Sequence, residues 1–142
     1  YAIPNELYEK YGIRRYGFHG TSYKYVVEEA AKYMGKDVQD CNMIVMHLGG
    51  GASMCCIRNG QSIDTTMGLT PLEGLVMATR SGDIDPGIYD FLINKGYTPE
   101  AVTHLLNTES GLRGLAGTSD MRRVKKMALE GDAASRLARD VF

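Results

Sequence analysis

The first thing this sequence lacks is charge of one sign. Its 16 Lys and Arg stand against 17 Asp and Glu, a formal net charge of -1. That balance gives no electrostatic reason to expect a nucleic-acid partner, and no basic block is long enough to form a basic arm. The short cluster of Arg122, Arg123, Lys125 and Lys126 fits the solvated face of a helix. No apolar run approaches the roughly 18 residues of a membrane span. The first residues also lack the basic-then-apolar order of a signal peptide, so the expectation is a cytoplasmic protein without a membrane partner. Cysteine is scarce: Cys41, Cys55 and Cys56 make neither an even disulfide framework nor a C-x-x-C metal spacing, and are expected to be reduced and structural. Internal repeats, low-complexity tracts and flexible linkers are missing as well. What remains is a chain that is 44% hydrophobic and long enough to bury a substantial core. It begins with Tyr1 and stops at Phe142 inside an apolar pattern (Ala134, Leu137, Ala138, Val141), so it is expected to be an internal fragment of a longer protein.

After "HGTS" the apolar residues Tyr23, Val26, Val27, Ala30 and Met34 recur at helical spacing, with Thr21 or Ser22 as the expected N-cap and Gly35 as the stop. Three strand-like runs follow, Met43–Leu48, Ala52–Ile57 and Ser62–Met67. Asn59-Gly60 between the last two is a strong type I′ hairpin signal. Gly49-Gly50-Gly51 joins the first two, which predicts a three-strand antiparallel meander. Leu69 to Asp83 reads as a working loop with one short helical piece around Leu72–Met77. Helices are expected to open at Asp85-Pro86-Gly87 and at Thr98-Pro99-Glu100. Beyond a loop at Ser110–Ser119, helix is expected from Met121 to Leu129 and again after Gly131-Asp132. Strands followed by helices make this an α/β unit.

Three loops carry residues suited to an anion. Three glycines in a row are costly for a turn that only reverses direction, and they make sense if backbone N–H groups must lie close against a phosphate; His47 and Ser53 on either side could add polar contacts. The plainer reading is a loose hairpin tip with a satisfied strand histidine. Arg80 in "ATRSGDIDP" can hold carboxylate or phosphate oxygens in a two-point fork, or it can staple the loop by pairing with Asp83 or Asp85. His19 stands before a helix N-terminus, where the free N–H groups favour an anion; a lone histidine can equally be structural.

"RRYGFHGTS", "HLGGGAS" and "MGLTPLEGLVMATRSGDIDPG", in this order, resemble the central part of the acetate kinase and short-chain acyl kinase family. The resemblance runs over essentially the whole chain. It implies an actin, sugar kinase and Hsp70-like (ribonuclease H-like) α/β fold, with residues 1–142 forming part of the C-terminal domain. It also implies reversible in-line transfer of the γ-phosphoryl group of ATP to a carboxylate, giving an acyl phosphate and ADP with Mg²⁺, in a cytoplasmic homodimer. By resemblance His19 and Arg80 stabilise the transferring phosphoryl group, a role that fits a reaction asking mainly for positioning and charge stabilisation. His47, Leu48, Gly49, Gly50 and Gly51 match the phosphate-binding hairpin. Asp120, Met121 and Arg122 match a segment touching adenosine, and Phe18 and Pro71 match residues lining the acyl pocket. One methylene is worth only about 1–3 kcal/mol in such a pocket, so acetate, propionate and butyrate stay open as acceptors.

The chain departs from the family pattern at Tyr23, where histidine is usual, and at Gly50, where asparagine is usual. No residue here matches a Mg²⁺ ligand. Asp64, Asp83 and Asp85 are tempting, but Asp85 is better explained as a helix cap. The rival from another class is a non-catalytic actin-like nucleotide-binding module, against which the retention of both His19 and Arg80 argues.

Overall fold

A computed structural model describes residues 1–142. The chain divides into two compact units, one of Tyr1–Leu48 with Ser53–Glu73 and one of Gly49–Ala52 with Gly74–Phe142.

The first unit holds the sheet. Helix α1 (Asn5–Tyr11), which the sequence reading did not anticipate, is closed by Gly12 at φ 68°. Helix α2 (Gly20–Met34) buries Tyr23, Val27 and Ala31, a stripe at spacing four, and ends on Gly35 in the left-handed region as expected. A single 3₁₀ turn (Val38–Asp40) leads to β1 (Met43–Leu48), β2 (Ala52–Arg58) and β3 (Gln61–Thr65). These form the antiparallel sheet in the order β1-β2-β3. Asn59 and Gly60 sit at φ 50° and 72°, the two positive values that a type I′ turn needs. Cys55 pairs with Thr65 and Arg58 with Gln61, with one irregularity after Cys56. Tyr23 and Val27 from α2 pack on Val45, Cys55 and Ile57. All three cysteines are free; Cys55 faces this core and Cys56 points the other way. Arg15 ties the segment between the helices to the end of β3 through the carbonyls of Thr65 and Thr66 and through a 2.7 Å ion pair with Glu73.

The second unit is helical: α3 (Gly87–Asn94), α4 (Pro99–Thr108), α5 (Gly111–Ala116), α6 (Met121–Leu129) and α7 (Ala133–Val141). Thr98 caps α4, its hydroxyl accepting from the Ala101 N–H at 3.2 Å with proline next in the chain. Asp85 Oδ1 accepts from the Gly87 N–H at 2.8 Å, but the N-cap of α3 is Pro86, one residue later than expected. Leu112, Val124 and Ala138 from α5, α6 and α7 form the core, while Arg122, Arg123, Lys125 and Lys126 lie on the exposed face of α6.

Two further expectations need correction in this part of the chain. No helix forms over Leu72–Met77, because the Gly74 N–H is taken by Asp83 Oδ1 at 2.7 Å and the Met77 N–H by the Arg80 carbonyl at 3.1 Å. Ser110–Ser119 is not a loop but contains α5, whose glycines conceal it from propensity; long-range bonds hold it, with Leu112 and Arg113 N–H groups donating to Met77 and Ala78 carbonyls at 3.0 Å.

Candidate functional site

The face of the sheet that packs on α2 is apolar at one end and polar at the other. Alternation along β1 puts His47 beside Val45 on that face, and along β2 it puts Ser53 beside Cys55. The α2 stripe continues backwards in the same way, from Val27 to Tyr23 and then to His19 four residues earlier. The polar groups so aligned find each other. His19 Nδ1 lies 2.7 Å from Ser53 Oγ, and the Tyr23 hydroxyl is hydrogen-bonded to the same oxygen. The His19 and His47 rings stack, centroids 3.8 Å apart and planes 15° apart. His47 Nδ1 is 3.0 Å from Ser22 Oγ. Each histidine is therefore tied through Nδ1 to a serine of the opposing element. Ser53 is completely buried and Tyr23 nearly so, and burial pushes the Tyr23 phenol up from its ordinary value.

The α2 N-terminus differs from expectation. Neither Thr21 nor Ser22 is the N-cap; that position belongs to His19, whose side chain makes no capping bond. Its backbone is left-handed at φ 64°, ψ 17°, a conformation that costs a non-glycine residue about 1–3 kcal/mol. The physical reason is the ring: with Ser22 engaged by His47 and His19 held against Ser53, the chain enters the helix through a strained residue. Ser53, a candidate for a polar contact beside the glycines, is fully buried and bonded to His19 and Tyr23.

In the second unit, Gly49-Gly50-Gly51 closes tightly, the Gly49 N–H donating to the Gly51 carbonyl at 3.0 Å. The Gly50 carbonyl accepts from the Ala78 N–H at 3.2 Å, two residues before Arg80. None of the three glycines has positive φ, and a Cβ on Gly50 would meet nothing within 4 Å. Neither backbone conformation nor packing within the chain demands glycine at position 50.

Arg80 is half-buried in a segment whose backbone is bonded throughout. Its carbonyl accepts from Met77, the Thr79 carbonyl accepts from Ser110 and the Ser81 N–H donates to Leu106, all at 3.0–3.1 Å. Gly82 at φ 70° closes the segment; a Cβ there would lie 2.5 Å from the Leu75 carbonyl oxygen and 2.6 Å from that of Gly74. Asp83 and Asp85, the expected staple partners, turn Oδ1 to the Gly74 and Gly87 N–H groups, and Asp64 turns its own to Thr65. No group of three His, Cys, Asp or Glu is placed together to hold a metal ion.

The remaining expected residues have local roles. Asp120 caps α6, accepting from the Arg122 N–H at 2.9 Å, and the Arg122 guanidinium forks onto the same carboxylate at 3.0 and 2.8 Å. Arg122 holds the Asp120 carboxyl down at about 2. Met121 packs against the Leu112, Val124 and Ala138 core. Phe18 borders a cavity of about 380 Å³ with Tyr23, Val27, Cys55 and Ile57 in the first unit, and Leu48 is exposed at the end of β1. Pro71 is half-buried in the loop after β3 and does not line that cavity. Thus the fold brings His19 and His47 together with Ser22, Tyr23 and Ser53. The three hydroxyl residues were legible only as a parity match between strand and helix stripes.

The sequence model of the acetokinase family matches residues 1–142. Acetate kinase 1 of Neisseria meningitidis is 54% identical over the whole of this chain and 36% of its own length. Acetate kinase 2 of Vibrio cholerae is 54% identical over 99% of this chain and 36% of its own. The chain therefore spans about a third of the curated relatives it matches. Among solved structures, a propionate kinase from Francisella tularensis superposes with TM-score 0.95 at 52% identity, covering 100% of this chain and 37% of that one. An acetate kinase from Porphyromonas gingivalis superposes at 0.95 with 41% identity, covering 100% and 36%.

Proposed function

Because this chain belongs to the acetokinase family, we propose that it is part of the C-terminal domain of a carboxylate kinase and supplies two of the groups that act on the transferring phosphoryl. The reaction is acetate plus ATP giving acetyl phosphate and ADP, reversibly. A carboxylate oxygen attacks the γ-phosphorus in line, the bond from that phosphorus to the β,γ-bridging oxygen breaks, and ADP leaves with its electron pair. Neither His19 nor Arg80 becomes covalently bonded.

The observation that carries this reading is His19. A histidine kept in a strained left-handed conformation, ring stacked on a second histidine and bonded to a buried serine, is over-determined by its surroundings in the way that reacting groups are. On this reading the imidazole donates a hydrogen bond to phosphoryl oxygen, and Arg80 offers its guanidinium to the carboxylate and phosphoryl oxygens from a backbone that does not yield. His47, Leu48 and Gly49–Gly51 border the phosphates, where residues at 49–51 without a Cβ allow close backbone approach. Asp120, Met121 and Arg122 face the adenosine, and Phe18 and Pro71 the acyl group. Mg²⁺, when bound, neutralises phosphate charge; its ligands belong to residues outside this chain. The complete protein would act as a cytoplasmic homodimer. The kinship to a propionate kinase structure favours a second reading in which the larger acid is the substrate.

The test is hydroxylamine trapping of acyl phosphate made by the complete protein with acetate, propionate or butyrate. Arg80→Ala should lower turnover by about 10³-fold, the smallest effect seen for an arginine that stabilises phosphoryl transfer, and leave nucleotide binding largely intact. Unchanged turnover in a folded variant removes Arg80 from the reaction. No product with any acid, from protein that still binds nucleotide, favours the non-catalytic module.

A further inference from the structure

We propose that Ser53, held by the Tyr23 hydroxyl, is a positioning residue that sets the tautomer and orientation of His19. The inference rests on the phosphoryl-transfer reading only for its kinetic consequence; the geometry stands without it.

Three polar groups lie in a row inside the first unit: the Tyr23 hydroxyl, Ser53 Oγ and His19 Nδ1 at 2.7 Å from that oxygen. Ser53 is 0% exposed and Tyr23 4%, so water cannot replace either partner. Each hydroxyl has one proton to give, and the direction follows from acidity. The phenol is the stronger acid and the imidazole nitrogen the strongest base of the three. Tyr23 O–H therefore donates to Ser53 Oγ, and Ser53 O–H donates to Nδ1, the two bonds polarising each other in the same sense. With Nδ1 an acceptor, the neutral imidazole carries its proton on Nε2. A histidine that serves an anion while neutral must present N–H, and the row leaves that duty to Nε2. His47, stacked at 15° on the same ring and anchored by Ser22, limits rotation about the His19 side-chain bonds. The burial that pushes the Tyr23 phenol upward keeps it protonated as the row requires.

None of this was expected of Ser53, placed by sequence at the glycine turn, or of Tyr23, read as part of the apolar helix stripe and as a departure from histidine. Tyrosine is suited to the position because its hydroxyl lies at the end of a rigid ring and reaches the sheet from α2.

The test uses the complete protein with ¹⁵N-labelled histidine at about pH 8, above the ordinary imidazole range. Wild type should show His19 with pyrrole-type Nε2 and pyridine-type Nδ1. Tyr23→Phe, which keeps the ring, and Ser53→Ala should each mix the tautomers. Both should lower kcat by about 10- to 100-fold, the range known for removing the outer hydrogen-bond partner of a metal-ligating histidine, with the KM for nucleotide little changed. Should Ser53→Ala fail to fold, Tyr23→Phe decides alone. A proton on Nδ1 in the wild type, or an unaltered His19 spectrum and kcat in folded Tyr23→Phe, overturns the proposal. If the wild type makes no acyl phosphate, the kinase reading fails while the tautomer measurement still judges the row.

Discussion

His19 and Arg80 are mounted by opposite means. His19 is fixed through side chains, its ring bonded to Ser53 and stacked on His47, while its backbone is strained. Arg80 is fixed through backbone: Met77, Ala78, Thr79, Arg80 and Ser81 each exchange a main-chain hydrogen bond, with partners that include Leu106, Ser110, Leu112 and Arg113. A side-chain mount depends on a few hydroxyls and can be altered by one atom. A backbone mount depends on carbonyls that no substitution removes, and its weak points are the glycines that let those carbonyls come close.

The largest expected effect follows from that. Gly82→Ala combines a left-handed backbone, about 1–2 kcal/mol for an L side chain, with a Cβ 2.5 Å from one carbonyl oxygen and 2.6 Å from another. Denaturant unfolding of the complete protein should show a loss above about 2 kcal/mol, since overlap with backbone adds to the conformational term. Turnover should fall with it as the Arg80 segment moves. A folded Gly82→Ala protein of wild-type stability would mean that the segment is not rigid, and the contrast between the two mounts would fail.

Next comes a pair of buried serines, one in each unit. Ser53 and Ser135 are both 0% exposed, yet Ser53 Oγ has two partners and Ser135 Oγ makes no hydrogen bond. Ser53→Ala removes the buried hydroxyl that Tyr23 and the His19 imidazole share and should cost about 1–3 kcal/mol. Ser135→Ala removes an orphaned oxygen and should be neutral or stabilising by about 1 kcal/mol. Measured side by side in urea, the two should differ in sign or clearly in size; equal losses would show that polar burial, and not the row of hydroxyls, decides the cost.

How much of this was legible in the sequence follows the same division. Features set by neighbours in the chain were readable: the Asn59-Gly60 turn, the Thr98-Pro99 helix start and the Gly35 stop. Features set by distant partners were not. Helix α5 is glycine-rich, and Gly111 at φ 60° would place a Cβ 2.6 Å from the Arg80 carbonyl oxygen, so the residue that depresses helix propensity is demanded by the Arg80 mount. The helical piece expected at Leu72–Met77 lost its N–H groups to Asp83 and Arg80 for the same reason. At the candidate site, the motifs pointed to His19, His47 and Arg80, whereas Ser53 was misdirected because a residue beside a glycine turn looks exposed until the strand face is known.

The smallest expected effect lies at Gly50, and it separates what the fold needs from what a ligand needs. With φ outside the left-handed region and a Cβ that would meet nothing within 4 Å, Gly50→Ala has no steric cost in this chain. It should be neutral or stabilise by about 0.4–1 kcal/mol, because alanine narrows the unfolded ensemble. Gly50→Asn should fold equally well and add a side-chain amide at the turn. If the turn borders phosphate, as proposed, the nucleotide KM should change in these variants without any loss of stability. An unchanged KM in both would detach the glycine turn from the nucleotide and leave it a plain strand connection. A loss of stability would instead reveal a packing demand at position 50, placing the turn with the glycine-dependent mount of Arg80.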